Sequence, residues 1–170
     1  SLPRMRSALA SLSAASGRTI TVKYASTNGT AVAPADYAAA SGTLTFVPGE
    51  MTQTIVVPLV ADLAYELNET FTVTLSAPTN AALSDASGVG TVLNDDSAPE
   101  LLVGDVSLTE KNAGTSIASF TVTLSGPTNV TATVAYATAN GTAAAPGDYT
   151  TKTGALSFAP GVTTQTVPVV

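Results

Sequence analysis

Apolar and polar residues alternate with a period of two along several short stretches of the chain. The clearest run is FTVTL at residues 71–75, and residues 120–124 repeat the same five letters. This alternation is typical of a β-strand with one face in a core and the other in water. Threonine at the polar positions favours a strand without adding charge.

Residue pairs that favour turns separate these runs. Examples are Pro48-Gly49 and Pro160-Gly161. Asn-Gly is the strongest two-residue hairpin signal, so Asn28-Gly29 and Asn140-Gly141 are interpreted as hairpin turns. No long stretch combines helical periodicity with capping residues. Short strands with turn signals about every eight to twelve residues predict an all-β, antiparallel β-sandwich fold.

The chain contains an internal repeat. Residues 28–37 read NGTAVAPADY, and residues 140–149 read NGTAAAPGDY, 112 positions later. The alignment extends without gaps from residues 7–58 to residues 119–170, with about half of the pairs identical. The repeat predicts two tandem modules, which we place at residues 1–96 and 100–170, joined by a short linker at residues 97–99. We expect each to be incomplete here, the first lacking a clear first strand and the second its last strands.

Composition and charge exclude several classes of function. The chain has neither cysteine nor histidine, which removes disulfides, zinc sites with those ligands and Ser-His catalysis. Twelve acidic residues face six basic ones, and only Lys111 and Lys152 are basic after residue 23. Such a body repels nucleic acid and suits divalent cations. No apolar run approaches the roughly 20 residues that a membrane span needs.

The acidic residues gather at predicted strand ends and in loops, where one pole of a sandwich can collect them. The candidate ligands among them are Asp36, Asp62, Glu66, Glu69, Asp95, Asp96, Glu110 and Asp148. Oxygen ligands of this kind fit Ca²⁺, which takes six to eight of them; the alternative is that they are solvated loop acids. Paired carboxylates also serve glycosidases, but the chain has no tryptophan to line a sugar groove, and its four phenylalanines read as core. We therefore expect that the protein is not an enzyme.

Tyr37 and Tyr149, which follow Asp36 and Asp148, are interpreted as packing residues with satisfied hydroxyl groups.

Several motifs occur in one order: DY, GTLTFVPGE, NETFTVTLS and NDD, followed by VSLTEKNAGT, which looks like the opening strand of a second copy. In this order they resemble the Calx-β module, over roughly residues 19–170. The resemblance implies an immunoglobulin-like sandwich of about seven strands that binds Ca²⁺ through loops at one end, near the next module. The implied ligands are Asp36, Asp62, Glu66, Glu69, Asp95 and Asp96 in the first module, and Glu110 and Asp148 in an incomplete site of the second. Ala61 stands where calcium-rich members have a further aspartate, so we expect only one or two ions.

Three hypotheses for function remain in competition. The first is a calcium-binding structural or adhesive repeat of a secreted or cell-surface protein, of bacterial type, in which Ca²⁺ stiffens the junction between modules. The second is a subunit of an extracellular filament, in which a neighbouring subunit supplies the strands that an incomplete module lacks. Further residues of a longer chain could equally complete that module. The third is a calcium sensor. The partners expected are neighbouring modules, identical subunits, or a surface or matrix ligand.

Overall fold

The computed structural model describes residues 5–109 and 111–170, and this part of the chain is all-β. It contains no helix, and therefore none long and apolar enough to cross a membrane. The strands are β1 (Met5–Ser11), β2 (Ile20–Asn28), β3 (Ser41–Phe46), β4 (Thr52–Pro58), β5 (Glu69–Thr79), β6 (Ser87–Val92), β7 (Leu101–Val103), β8 (Ala118–Leu124), β9 (Ala132–Ala137), β10 (Thr153–Phe158) and β11 (Thr164–Val169). They pair in antiparallel fashion throughout, as the alternation of apolar and polar residues predicts.

The chain divides into two compact units. The first comprises Ser1–Asp62 and Leu67–Asn94, and the second comprises Leu63–Glu66 and Asp95–Val170. Each is a β-sandwich, so the predicted fold class and the two tandem modules are confirmed. The finer placement of the linker at residues 97–99 remains a prediction.

The first unit is a four-stranded sheet packed against a two-stranded one. Their strand orders are β3-β2-β5-β6 and β1-β4. Alternate residues of the facing strands form the core, because successive side chains of a strand point to opposite faces. The core includes Val22, Phe46, Phe71 and Val73 from the larger sheet and Val57 from the smaller one.

The second unit contains a three-stranded sheet of order β11-β8-β7 and a two-stranded sheet of order β10-β9. Its buried core is smaller, and consists of Val122, Leu124, Phe158, Val167 and Val169. Four strands of the second unit lie about 112 residues after matching strands of the first unit. Strands β8, β9, β10 and β11 correspond in this way to β1, β2, β3 and β4. The register repeats as well, since Val22 lies opposite Leu44 and Val134 lies opposite Leu156. Within its described residues, the second unit has no counterpart of β5 or β6.

The interpretation of Asn28-Gly29 as a two-residue hairpin turn is wrong. Strand β2 ends at Asn28, and its antiparallel neighbour β3 does not begin until Ser41. The connection is a loop that folds around the side chain of Asn28, whose Oδ1 accepts hydrogen bonds from the backbone N–H of Ala33 and the hydroxyl of Tyr37. Because Oδ1 of Asn28 accepts a hydrogen bond from Tyr37, nine residues further along the chain, the segment between them forms a long closed loop. The same correction applies to Asn140-Gly141.

Candidate metal site

The loop between β2 and β3 positions the first candidate ligand. The carboxylate of Asp36 accepts a hydrogen bond of 2.6 Å from the backbone N–H of Val32, while the N–H of Asp36 donates to the carbonyl of Val32. The side chain of Asn28 also holds this loop, because it accepts hydrogen bonds from Ala33 and Tyr37. The loop therefore fixes the carboxylate of Asp36 through its own internal hydrogen bonds.

Strand β5 begins against this loop. The N–H of Ala31 donates to the carbonyl of Thr70 over 2.9 Å, and the N–H of Thr70 donates to Oγ1 of Thr30 over 2.8 Å. The approach requires glycine at position 29, because a Cβ added there would collide with the carbonyl oxygen of Thr70. These contacts fix the first residues of β5, and so bring Glu69 to the loop.

Asp36 and Glu69 form the core of the candidate metal site in the first unit. A carboxylate oxygen of each lies within 4.8 Å of the other, and both residues are half-buried. Two oxygens that bind one Ca²⁺ ion at about 2.3–2.6 Å can lie no further apart than about 5 Å. The two carboxylates therefore fit a shared calcium ion. Without a cation, two anionic groups at this separation would repel each other.

The structure places the other predicted ligands in three settings. Asp62 lies four residues after the end of β4, while Asp95 and Asp96 lie three and four residues after the end of β6. Glu66 lies in the segment assigned to the second unit, where the side-chain amide of Asn129 donates a hydrogen bond to its carboxylate. All four remain predictions as calcium ligands.

In the second unit only the loop half of the site is repeated. Asp148 accepts a hydrogen bond of 2.8 Å from the N–H of Ala144, as Asp36 does from Val32. No strand corresponding to β5 is present in the described residues to bring a counterpart of Glu69. Glu110 lies outside the described residues, so its proposed role stays a prediction.

Sequence reasoning missed a second polar contact, which involves Thr128. This residue is 1% exposed, and its hydroxyl donates to the carbonyl of Tyr65 over 3.0 Å. The backbone of Tyr65 also donates to Pro127 and accepts from Asn129. The sequence around Thr128 is GPTN at residues 126–129, which predicts only an ordinary turn. Its partner lies 63 residues away, which no local pattern reveals.

The architecture defines a tandem pair of antiparallel β-sandwiches with an acidic loop site. The sequence profile of the Calx-beta domain matches residues 8–98 and 94–170, which together cover most of the chain. The protein belongs to the Calx-beta domain family, as the motifs indicated.

Solved structures show the same fold. The calcium binding domain CBD12 of CALX1.1 is 23% identical, with a TM-score of 0.53, and the match covers 96% of this chain and 67% of that one. CBD12 from CALX1.2 is also 23% identical, with a TM-score of 0.52 and coverage of 97% and 68%. No curated protein sequence matches the chain.

Proposed function

We propose that the protein is a non-catalytic, calcium-binding structural module. The observation that carries this proposal is the approach of the Asp36 and Glu69 carboxylates to within 4.8 Å in the first unit. Family membership supports it, as do the two tandem structures, one of which is described as a calcium binding domain.

Asp36 and Glu69 supply at most four carboxylate oxygens, and Ca²⁺ takes six to eight ligands in all. We propose that Asp62, Glu66, Asp95 and Asp96 provide further ligands, together with water and backbone carbonyls. Asp95 and Asp96 directly follow Asn94, the last residue of the first unit. An ion held partly by these residues would restrict the passage from one unit to the next. The role of the bound ion is then to stiffen the connection between the two units, in a repeat protein that is secreted or on the cell surface.

Calcium titration and chelation test this function. An ion that binds only the folded chain stabilises it by about 2.7 kcal/mol at a hundredfold excess over the Kd. We expect a chelator to lower the melting temperature and Ca²⁺ to restore it, with calorimetry giving one or two saturable sites. Sodium chloride at matched ionic strength separates site binding from general screening. A melting curve that is the same with Ca²⁺ and with chelator would refute the proposal.

A second candidate function is assembly by strand complementation. The second unit supports it, because β9 is the last strand of its two-stranded sheet and has one unpaired edge within the described residues. Unpaired edges are templates for strands of another chain. Electron microscopy and size-exclusion chromatography of the purified chain test this role. Filaments support it, and a monodisperse monomer at every concentration contradicts it.

A further inference from the structure

Strand β5 begins two residues before the point where its pairing with β2 ends. The outermost pair of these two strands is Asn28 with Phe71, so their ladder stops before it reaches Thr70. On its other side, β5 stays paired with β6 as far as Glu69. The glutamate of the candidate site therefore lies on a strand end that β6 pairs and β2 does not.

The loop after β2 continues the contact where this ladder stops. The N–H of Ala31 donates to the carbonyl of Thr70 over 2.9 Å, which is an ordinary backbone hydrogen bond. The N–H of Thr70, in contrast, donates to a side chain, Oγ1 of Thr30, over 2.8 Å. The hydroxyl of Thr30 thus replaces the backbone carbonyl that a longer β2 would supply to its antiparallel neighbour.

Thr30 is held in place by its neighbour and adds little to the core itself. Ala31 is 0% exposed and belongs to the core of the first unit. The side chain of Thr30 is exposed. Loss of its hydroxyl should therefore leave the packing of the core unchanged and act mainly on the hydrogen bond to Thr70.

The hydrogen bond to Thr30 acts against an electrostatic force. Carboxylate oxygens of Asp36 and Glu69 lie within 4.8 Å of each other, and two anionic groups at this separation repel when no cation lies between them. Asp36 is fixed to the loop by the N–H of Val32. Glu69 is tied to the same loop through the next residue, Thr70, which limits how far the two carboxylates can move apart.

The second unit separates this hydrogen bond from those that shape the loop. The N–H of Ala144 donates to Asp148 over 2.8 Å, and the other two side-chain hydrogen bonds of the loop are repeated as well. Thr142 occupies the position of Thr30, but no strand corresponding to β5 is present in the described part of this unit. The loop thus takes its shape without holding a strand, and the hydroxyl of Thr30 acts on β5.

We infer that Thr30 is a positioning residue of the candidate calcium site, which sets the calcium affinity through Glu69 without binding the ion itself. While Thr30 accepts the N–H of Thr70, both carboxylates are already placed for one shared ion. Without this hydrogen bond, Glu69 is in place in a smaller fraction of molecules, and the apparent Kd rises as that fraction falls. This inference rests on the calcium-binding function proposed above, and names a residue outside the acidic pattern that controls it.

Calorimetric titration of Thr30→Val with Ca²⁺ tests the inference. Valine keeps the branched shape of the side chain but has no oxygen to accept a hydrogen bond. We expect the affinity to fall about fivefold, which corresponds to the usual net contribution of one hydrogen bond. Thr30→Ser keeps the hydroxyl and should bind Ca²⁺ as the unsubstituted chain does. Thr142→Val makes the same substitution at the matched position of the second unit, and should leave the affinity unchanged.

Two measurements without calcium separate positioning from a general loss of stability. Thr30→Val should keep a cooperative melting transition close to that of the unsubstituted chain, because the side chain is exposed. Hydrogen exchange reports the contact directly. The amide of Thr70 should lose protection in Thr30→Val and keep it in Thr30→Ser.

The outcomes distinguish this inference from the calcium-binding function itself. If the unsubstituted chain binds Ca²⁺ and Thr30→Val binds it equally well, the inference is overturned and the function stands. Equal losses in Thr30→Val and Thr30→Ser, or in Thr30→Val and Thr142→Val, also overturn it, because the hydroxyl next to β5 would not be the cause. Loss of the melting transition in Thr30→Val would assign the residue a structural role instead. An unsubstituted chain that binds no Ca²⁺ overturns both.

Discussion

The hydroxyl of Tyr37 donates a hydrogen bond of 2.7 Å to Oδ1 of Asn28. The same bond, with the same length, joins Tyr149 to Asn140 in the second unit. The difference lies in the surroundings, since Tyr37 is 1% exposed and Tyr149 is half-buried. One interaction is therefore present in two solvent environments within a single chain.

Tyr37→Phe should destabilise the first unit more than Tyr149→Phe destabilises the second. Each substitution removes one hydrogen bond, with a typical net contribution of about 1 kcal/mol. Water can reach the acceptor Asn140 more readily than it can reach Asn28, so Tyr149→Phe should lower the free energy of unfolding by less than Tyr37→Phe does. Urea denaturation followed by circular dichroism measures both, and the ranking is contradicted if Tyr149→Phe loses as much as Tyr37→Phe.

Gly90→Ala should destabilise the first unit by about 1–3 kcal/mol, the usual cost of overpacking. A Cβ at position 90 would collide with the ring of Phe71, which lies across β6. Gly88→Ala is the matched control, because it is in the same strand and has nothing within 4 Å of its added Cβ. Thermal melting compares the stability of the two variants, and similar melting temperatures would contradict the proposed clash between a Cβ at position 90 and Phe71.

Asp36→Asn and Glu69→Gln should each weaken calcium binding by about tenfold or more, since each removes a charged oxygen ligand. Asparagine can still accept the hydrogen bond that Val32 donates, so the loop should keep its shape. Asp85→Asn makes the same change in charge, at an exposed aspartate outside the candidate site that caps Ser87. Isothermal titration with Ca²⁺ compares the three variants. If Asp85→Asn weakens binding equally, net charge and not a site explains the affinity.

Thr128→Val should destabilise the second unit by about 1–3 kcal/mol. Valine keeps the shape of the side chain but removes the donor to the carbonyl of Tyr65 and the acceptor for the N–H of Val130. Thr121→Val, at an exposed position of β8, is the control and should be nearly neutral. Hydrogen exchange at Val130 gives a second readout, because its amide should lose protection in Thr128→Val alone. Unchanged exchange there would contradict the assigned contact.

The strands were predictable from sequence because their signal is local. The FTVTL runs lie in β5 and β8, and Tyr37 and Tyr149 are packing residues with satisfied hydroxyl groups, as expected. The role of Asn28 was not predictable from its neighbour Gly29. A two-residue hairpin and a long closed loop begin with the same letters, and the choice depends on side-chain contacts at Ala33 and Tyr37.

The candidate site was predictable only in part for a similar reason. Sequence indicated which carboxylates belong to the family pattern, and it included both Asp36 and Glu69. Their pairing depends on the contacts of Thr30 and Ala31 with Thr70, across a gap of about 40 residues. A pattern read along the chain contains no information about such a closure.

The pairing of Asp36 with Glu69 joins a loop to a strand, and this has a thermodynamic consequence for the first unit. An ion shared by the two carboxylates would bind only while the start of β5 stays against the loop that holds Asp36. Calcium binding and the attachment of β5 to this loop would then be linked equilibria, each favouring the other by the same factor.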